Sequence, residues 1–470
     1  MTFKIYNSLS RQKENFTPLQ KSKVSMYTCG PTVYNYAHIG NFFAYLSADT
    51  LYRWLTFGEK YSVKWVLNIT DVDDKTIKTS LEKYPDLAPQ KALKKHCDFY
   101  LKEFEKDLKT LNITPKNFYQ KPRVTDYIAA QKDLVQKIYQ NGYAYIADDS
   151  VYFSIQKYKK NYQYGKLVKI DQGFQDGARV DNDEYEKDSA ADFVLWKSKK
   201  EQEPFWDFSL DGKNLPGRPG WHLECSALEY EILGLPFDIH TGGMDLKFPH
   251  HEDEIAQSCG GYQIEPTNYW VHNGYLQVEG KKMSKSLGNF YILRDLTEKK
   301  NFHPEIIRLL MVTNHYRKNF NFTENGLHAV KKNLETIRNI HKEVTQQKSS
   351  QNTLNFSQFE ENLKEAMRDD LNTPRAFAIL LEASNYARKN LEKIDIMSFK
   401  NFINFTSQIF GVDFSYQKIQ IPAEIIELAE NRQEAKKNKD FIKADSLREE
   451  ISKKGFLIKD TREGYEIKPV

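Results

Sequence analysis

The sequence predicts an α/β protein: a parallel sheet split by an insertion and followed by helices and a small charged tail. Apolar stretches ending in polar residues recur at Val24–Thr28, Lys64–Thr70, Phe237–Thr241 and Tyr269–His272, as strands of a parallel sheet do. Apolar residues at helical spacing separate the first two, which gives the strand–turn–helix–strand unit. The pattern loosens between about Pro122 and Gly220 and turns helical beyond Phe320.

Each element has a local reason. Val24–Thr28 alternates as a strand, and Cys29-Gly-Pro-Thr32 supplies a turn. Helical spacing follows Ala37 through Ala44, Ala48, Leu51 and Leu55. Lys64–Thr70 is rich in residue types that suit a buried sheet. The looser region holds a helical run at Tyr127–Tyr139, a strand at Ser150–Ile155 and a long polar stretch at Asp171–Asp192, and reads as an insertion. Phe237–Thr241 and Tyr269–His272 resume the sheet, whose halves together make one nucleotide-binding unit with ligands at the carboxyl ends of its strands. His341–Ser357, rich in Gln, Ser and Asn, reads as a loop. Ser357 with Glu360 spells a capping box, and Thr373-Pro374 an N-cap with proline at the first helical position. A polar linker precedes Pro422, and two charged helices are expected at Ala423–Lys437 and Asp440–Lys454, with Gly455 stopping the second.

Composition bounds the function. A chain of 470 residues exceeds what one hydrophobic core serves, so several domains are expected. Its 40% hydrophobic and 28% charged residues exclude a disordered chain. No uncharged stretch approaches membrane-spanning length, and Met1–Phe16 has no apolar signal core, so the expectation is a cytoplasmic protein with no membrane partner. A net charge of +4 argues against a protein that coats nucleic acid and makes any RNA contact local. Four cysteines make no disulfide framework in so long a chain, and each is a core thiol, a metal ligand or a nucleophile.

Three constellations carry chemistry. In His38-Ile-Gly-Asn41 the histidine and asparagine share a helix face just after a strand, where backbone amides and the helix dipole favour phosphate and Gly40 allows close approach. Alone, the tetrapeptide is a weak signal, and an ordinary helix start with incidental His and Gly is the plainer reading. Lys281-Lys-Met-Ser-Lys-Ser-Leu-Gly-Asn289 places Lys282 and Lys285 in a glycine-bracketed cationic loop that could close on a triphosphate and neutralise departing pyrophosphate. A solvated surface loop is the alternative, weakened by Met283 and the paired serines, which solubility alone does not call for. Third come Cys29, Cys225 and Pro249-His-His-Glu-Asp-Glu254, in which His250 and Glu254 are four apart and project from one helix face. Two thiols, an imidazole and a carboxylate suit zinc, and buried small hydrophobes are the alternative for the cysteines. Cys97 and Cys259 belong to neither pattern and read as structural.

Taken together, the first two segments resemble the HIGH and KMSKS signatures of class I aminoacyl-tRNA synthetases, with Lys282-Met-Ser-Lys-Ser286 a full copy and Asn41 standing for the final histidine. Cys29-Gly-Pro-Thr-Val-Tyr34, Asn68-Ile-Thr-Asp-Val-Asp-Asp-Lys75, Gly217–Ser226, Phe237–Leu246 and Phe248–Gln257 all resemble the cysteinyl-tRNA synthetases, over nearly the whole chain. The resemblance implies a Rossmann-type catalytic domain in two halves (1–121 and 217–275) around an α+β connective insertion (122–216). A KMSKS-loop and stem-contact region (276–320), a tRNA-binding helical bundle (321–415) and a small α+β anticodon-binding domain (422–470) would follow. It further implies one Zn²⁺ on Cys29, Cys225, His250 and Glu254, with Mg²⁺ accompanying ATP. His38, Gly40, Asn41, Gly242, Gly243, Asp245, Lys282 and Lys285 would bind ATP, with His38, Asn41, Lys282 and Lys285 catalytic. Thr70 and Trp221 would line the cysteine pocket, and His240 would lie near the substrate. The implied partners are tRNA-Cys, ATP and L-cysteine, acting with a monomer. At the tail, Gly464-Tyr-Glu-Ile467 stands where many members carry Gly-Thr-x-Trp, so Ile467 replaces an aromatic and Tyr465 is the ring that could stand in for it. Two other functions share these features: an adenylate-forming ligase that passes cysteine to an aminosugar, and a catalytically silent RNA-binding paralogue.

Overall fold

A computed structural model of the chain describes residues 2–168, 192–284, 288–347, 354–416, 422–461 and 464–469. Among these, the central sheet comprises β1 (Lys23–Thr28), β2 (Ser62–Leu67), β3 (Phe237–Gly243) and β4 (Thr267–Asn273), all parallel, in the order β4-β3-β1-β2. Helix α1 (Ile39–Arg53) crosses from β1 to β2. The sheet grows outward in opposite directions from β1 and β3, so a crevice opens between their carboxyl ends, where doubly wound sheets bind ligands. The Thr28 and Thr241 hydroxyls meet at 2.6 Å across that point, and the Trp65 indole donates to Thr28 Oγ1 at 2.9 Å.

The insertion supplies an antiparallel sheet ordered Gly217–Pro219, Phe193–Ser198, Ser150–Phe153 and Ala144–Ala147. Its buried Phe153, Phe193 and Trp196 share one core with Ile255, Ala256 and Trp270, so it packs directly on the helix α3 (His250–Tyr262) and on β4. Helix α2 (Trp221–Leu233) starts where this sheet ends: the Gly220 N–H donates to Leu195 O at 2.9 Å, and a Cβ on Gly220 would meet Val194 O at 2.2 Å.

The bundle contains helices Glu324–Thr345, Ser357–Arg368, Thr373–Lys389 and Ile396–Phe410. Three local expectations are corrected here. His341–Thr345 is helical rather than loop, because Ile337, Ile340 and Val344 continue a buried apolar stripe that outweighs the polar composition. Ser357 is the first helical residue rather than the cap; Phe356 occupies the cap position without a side-chain bond. Asn372, not Thr373, caps the next helix by accepting from the Arg375 N–H. The polar stretch Asp171–Asp192 lies outside the described residues except for Asp192, as do 348–353 and 417–421.

The chain divides into two compact units, Met1–Ser415 and Tyr416–Val470. The second has helices Ala423–Lys437 and Phe441–Lys453 and a hairpin of Phe456–Thr461 with Gly464–Pro469. Asp440 caps its second helix, and Gly455 follows in the left-handed region at φ +83°. Its core is Ile425, Ala429, Ile451 and Ile458, against which Tyr465 and Ile467 are partly buried. Among the described residues, no helix is long and apolar enough to cross a membrane.

Candidate active site and metal centre

Three elements deliver four donors to the crevice. Cys29 directly follows β1, Cys225 sits one turn into α2, and His250 and Glu254 occupy the first turns of α3. The turn after Cys29 is pinned to the extension of β2. The Gly30 N–H donates to Asn68 Oδ1 at 2.7 Å, and Val33 N and Thr70 N bond Thr70 O and Pro31 O at 3.0 and 3.1 Å. Thr70 Oγ1 then donates to Glu224 Oε2 at 2.8 Å, tying this turn to α2.

The donor atoms of Cys29, Cys225, His250 and Glu254 all lie within 4.8 Å of one another, and all four residues are buried. The Sγ atoms are 3.7 Å apart, and Cys225 Sγ is 3.6 Å from His250 Nε2. A tetrahedral zinc with ordinary bond lengths has S···S and S···N edges of about 3.8 and 3.6 Å, so both edges at Cys225 suit a metal. Cys29 Sγ is 3.5 Å from Glu254 Oε1, while His250 Nε2 and that oxygen are 2.8 Å apart, a hydrogen-bond length rather than a tetrahedral edge. The cluster is therefore compatible with a metal site, with Glu254 the ligand needing most adjustment.

The electrostatics follow from burial. Burial alone would raise both thiol pKa values, yet hydrogen bonds from Cys29 and His250 bring Cys225 down to about 7. Cys29 is pushed well up by burial and by Cys225. Glu254 is held well below the carboxylate range despite burial, by His240 and His250. His240 Nε2 stands 2.8 Å from both Glu229 Oε1 and Glu254 Oε2, fully buried beneath the cluster. Trp221 stacks on the His250 ring at 4.3 Å and lines a cavity of about 60 Å³ shared with Thr32, Tyr34 and Lys75.

The two signature segments also meet. His38 caps α1, accepting from the Asn41 N–H at 3.2 Å while Asn41 Oδ1 accepts from the His38 N–H at 3.0 Å. Burial lowers the His38 pKa to about 4, leaving a neutral imidazole whose unprotonated Nδ1 accepts that bond. A Cβ on Gly40 would lie 3.2 Å from the Met283 methyl, the His38 ring packs edge-on against Phe290 at 5.2 Å, and Ile39 N bonds Tyr291 O at 3.0 Å. Lys282 is exposed in the short strand Lys281–Lys282; Lys285 lies outside the described residues. Gly242 and Gly243 end β3, the first tight against the His251 ring and the second against the Asp245 carboxylate.

Sequence reasoning missed the ring of histidines around the cluster. His222 Nδ1 is 3.0 Å from His250 Nδ1; His251 Nε2 is 3.4 Å from Cys29 Sγ; His251 Nδ1 and His272 Nε2 are 2.7 Å apart. Cys29, His240, His251 and Glu254 form a second set of converging donors sharing two members with the first. The tandem His250-His251 was the one visible signal. Cys97 donates to Asp71 O at 3.3 Å and Cys259 is buried in the insertion core, away from the cluster.

The family model described as tRNA synthetases class I (C) catalytic domain matches residues 15–332, and the DALR domain model matches 362–415. The curated cysteine–tRNA ligase of Leptospira interrogans (serovar Lai) is 41% identical, covering 98% of each chain. That of Thermococcus gammatolerans is 40% identical, covering 99% of this chain and 98% of its own. Among solved structures, Mycobacterium tuberculosis methionyl-tRNA synthetase in complex with methionyl-adenylate matches with a TM-score of 0.58 at 12% identity, over 82% of this chain and 88% of that one, a likeness of fold.

Proposed function

This chain belongs to the class I tRNA synthetase family, among the cysteine–tRNA ligases, and from that premise we propose how its residues join cysteine to tRNA. L-cysteine is activated with ATP to cysteinyl-adenylate, pyrophosphate leaves, and cysteine passes to the 3′ end of tRNA-Cys. The convergence of Cys29, Cys225, His250 and Glu254 at the crevice carries the reading. Cysteine and serine differ by one atom, which packing alone separates poorly. One bound zinc would supply a bond to the substrate thiolate that a serine hydroxyl, hard to ionise, forms weakly.

The chain's own residues do the remainder. Thr70 and Trp221 shape the cysteine pocket, and His240 acts on it by fixing Glu254. His38, Gly40, Asn41, Gly242, Gly243 and Asp245 bind ATP, which brings Mg²⁺ with it. Lys282 and Lys285 offset charge on the leaving pyrophosphate. A cysteine carboxylate oxygen attacks the α-phosphorus as the bond to pyrophosphate breaks, so positioning and charge stabilisation dominate.

The test is ATP-dependent charging of a tRNA bearing the cysteine anticodon, with cysteine and serine compared. Cysteine should be preferred by roughly 10⁴-fold, as when one analogue lacks the bonded group. Adenylate formation without charging would point to another acceptor, and comparable serine charging would remove the metal–sulfur account.

A further inference from the structure

Between the Trp221 cavity and the start of α1, the surface is built of aromatic rings interleaved with cations. Tyr34 lines the cavity, and Lys75 Nζ sits 5.7 Å from its ring. Two residues on, Tyr36 packs edge-on against Tyr100 at 5.2 Å and Phe99 at 6.4 Å. Arg294, held by Glu103 at 2.5 Å, covers Tyr36 at 4.5 Å. Lys83 Nζ lies 4.8 Å over Phe99 and 5.3 Å over Tyr100, and Lys95 lies 4.5 Å over Tyr84. Phe99 is 42% exposed, and among the described residues neither Lys83 nor Lys95 pairs with a carboxylate. Packing the helices Asp74–Lys83 and Pro89–Thr110 together needs neither an exposed Phe99 nor unpaired lysines over it.

We propose that this patch receives the unpaired 3′ end of tRNA on its way to the reaction centre. The proposal rests on the tRNA-ligase reading above. A single strand presents base faces and phosphates together, which calls for rings to stack on and cations beside them. The long lysine stems can swing from ring to phosphate, exposing Phe99 and the Tyr36–Tyr100 pair to bases. The patch is continuous with the cavity through Tyr34 and Lys75, so a strand lying on it is led toward Trp221 and the cysteine donors.

The experiment compares the full chain with the double variant Phe99→Ala/Lys83→Ala. The RNAs are intact tRNA bearing the cysteine anticodon and the same tRNA lacking its unpaired 3′ nucleotides. The variant should bind intact tRNA about 10-fold more weakly, with a shallower salt dependence. It should bind the truncated tRNA within about twofold of the unaltered chain, and cysteine-dependent pyrophosphate exchange should be unchanged. Phe99→Trp with Lys83→Arg keeps a ring and a cation and should restore binding. Equal losses for both RNAs, no loss for either, or failure of the conservative pair to rescue would overturn the proposal. An unaltered chain without pyrophosphate exchange would instead overturn the ligase reading beneath it.

Discussion

Gly30 fixes where the first cysteine stands. A Cβ at this position would lie 1.6 Å from Asn68 O, a backbone atom that cannot turn aside, while the Gly30 N–H already bonds the Asn68 side chain. Gly30→Ala must displace the turn and Cys29 with it. Both this variant and Cys225→Ser should therefore fall well below one zinc per chain by metal analysis, with helix content unchanged by circular dichroism. Full zinc in Gly30→Ala would show that the turn can shift without moving Cys29. At this scale the sequence was legible where residues had a spacing to betray them: His250 and Glu254 are four apart on a helix, and their i,i+4 contact forms at 2.8 Å. Glu229 and His272 had no such signature, since a buried histidine or glutamate looks in sequence like any other helix or strand residue.

Helix α1 carries His38 and Asn41 at one end, and its buried Asp49 anchors it three turns on. Asp49 accepts from Arg53 Nε at 2.7 Å, Arg308 Nη2 at 2.5 Å and Asn117 Nδ2 at 2.7 Å. Arg308 also donates to Phe410 O and Leu111 O at 2.8 and 2.7 Å, so one carboxylate joins α1 to the helix Pro304–Val312 and to the end of the bundle. Burial pushes the Asp49 pKa up, but Arg53 and Arg308 outweigh it and hold the carboxyl below its ordinary value. A depressed folded pKa means this stabilisation is present above the unfolded carboxylate value of about 4 and is lost as pH falls through the folded value. Asp49→Asn keeps the shape but leaves two guanidiniums without a counter-charge, a loss of about 3–5 kcal/mol. Urea unfolding between pH 3 and 7 should show the variant less stable at neutral pH and the gap narrowing toward acid; a constant gap would exclude Asp49 from the acid response. The helix itself was legible from Ala44, Ala48, Leu51 and Leu55, but its anchor was not, because Asp49 and Arg308 are 259 positions apart.

At the scale of the molecule, the parallel sheet and its interruption could be read from apolar stretches because the carboxyl half of each strand is buried on both faces. What the sequence did not disclose was that the insertion forms the seat of α2, through Val194 and Leu195 beneath Gly220. The tail was legible as two charged helices, and the structure adds that Tyr416–Val470 is a compact unit with its own core and its own bidentate pair, Arg432 with Asp460 at 2.9 and 3.1 Å. A unit that closes on its own core should be removable without unfolding the rest. If it reads the anticodon, deleting 416–470 removes binding energy that only the tRNA step uses. Cysteine-dependent pyrophosphate exchange should then stay within about twofold, while kcat/KM for tRNA charging falls about 100-fold, near 3 kcal/mol of lost contact. Parallel loss in both assays would mean that the unit supports the catalytic fold. Undiminished charging would mean that tRNA is selected wholly by Met1–Ser415.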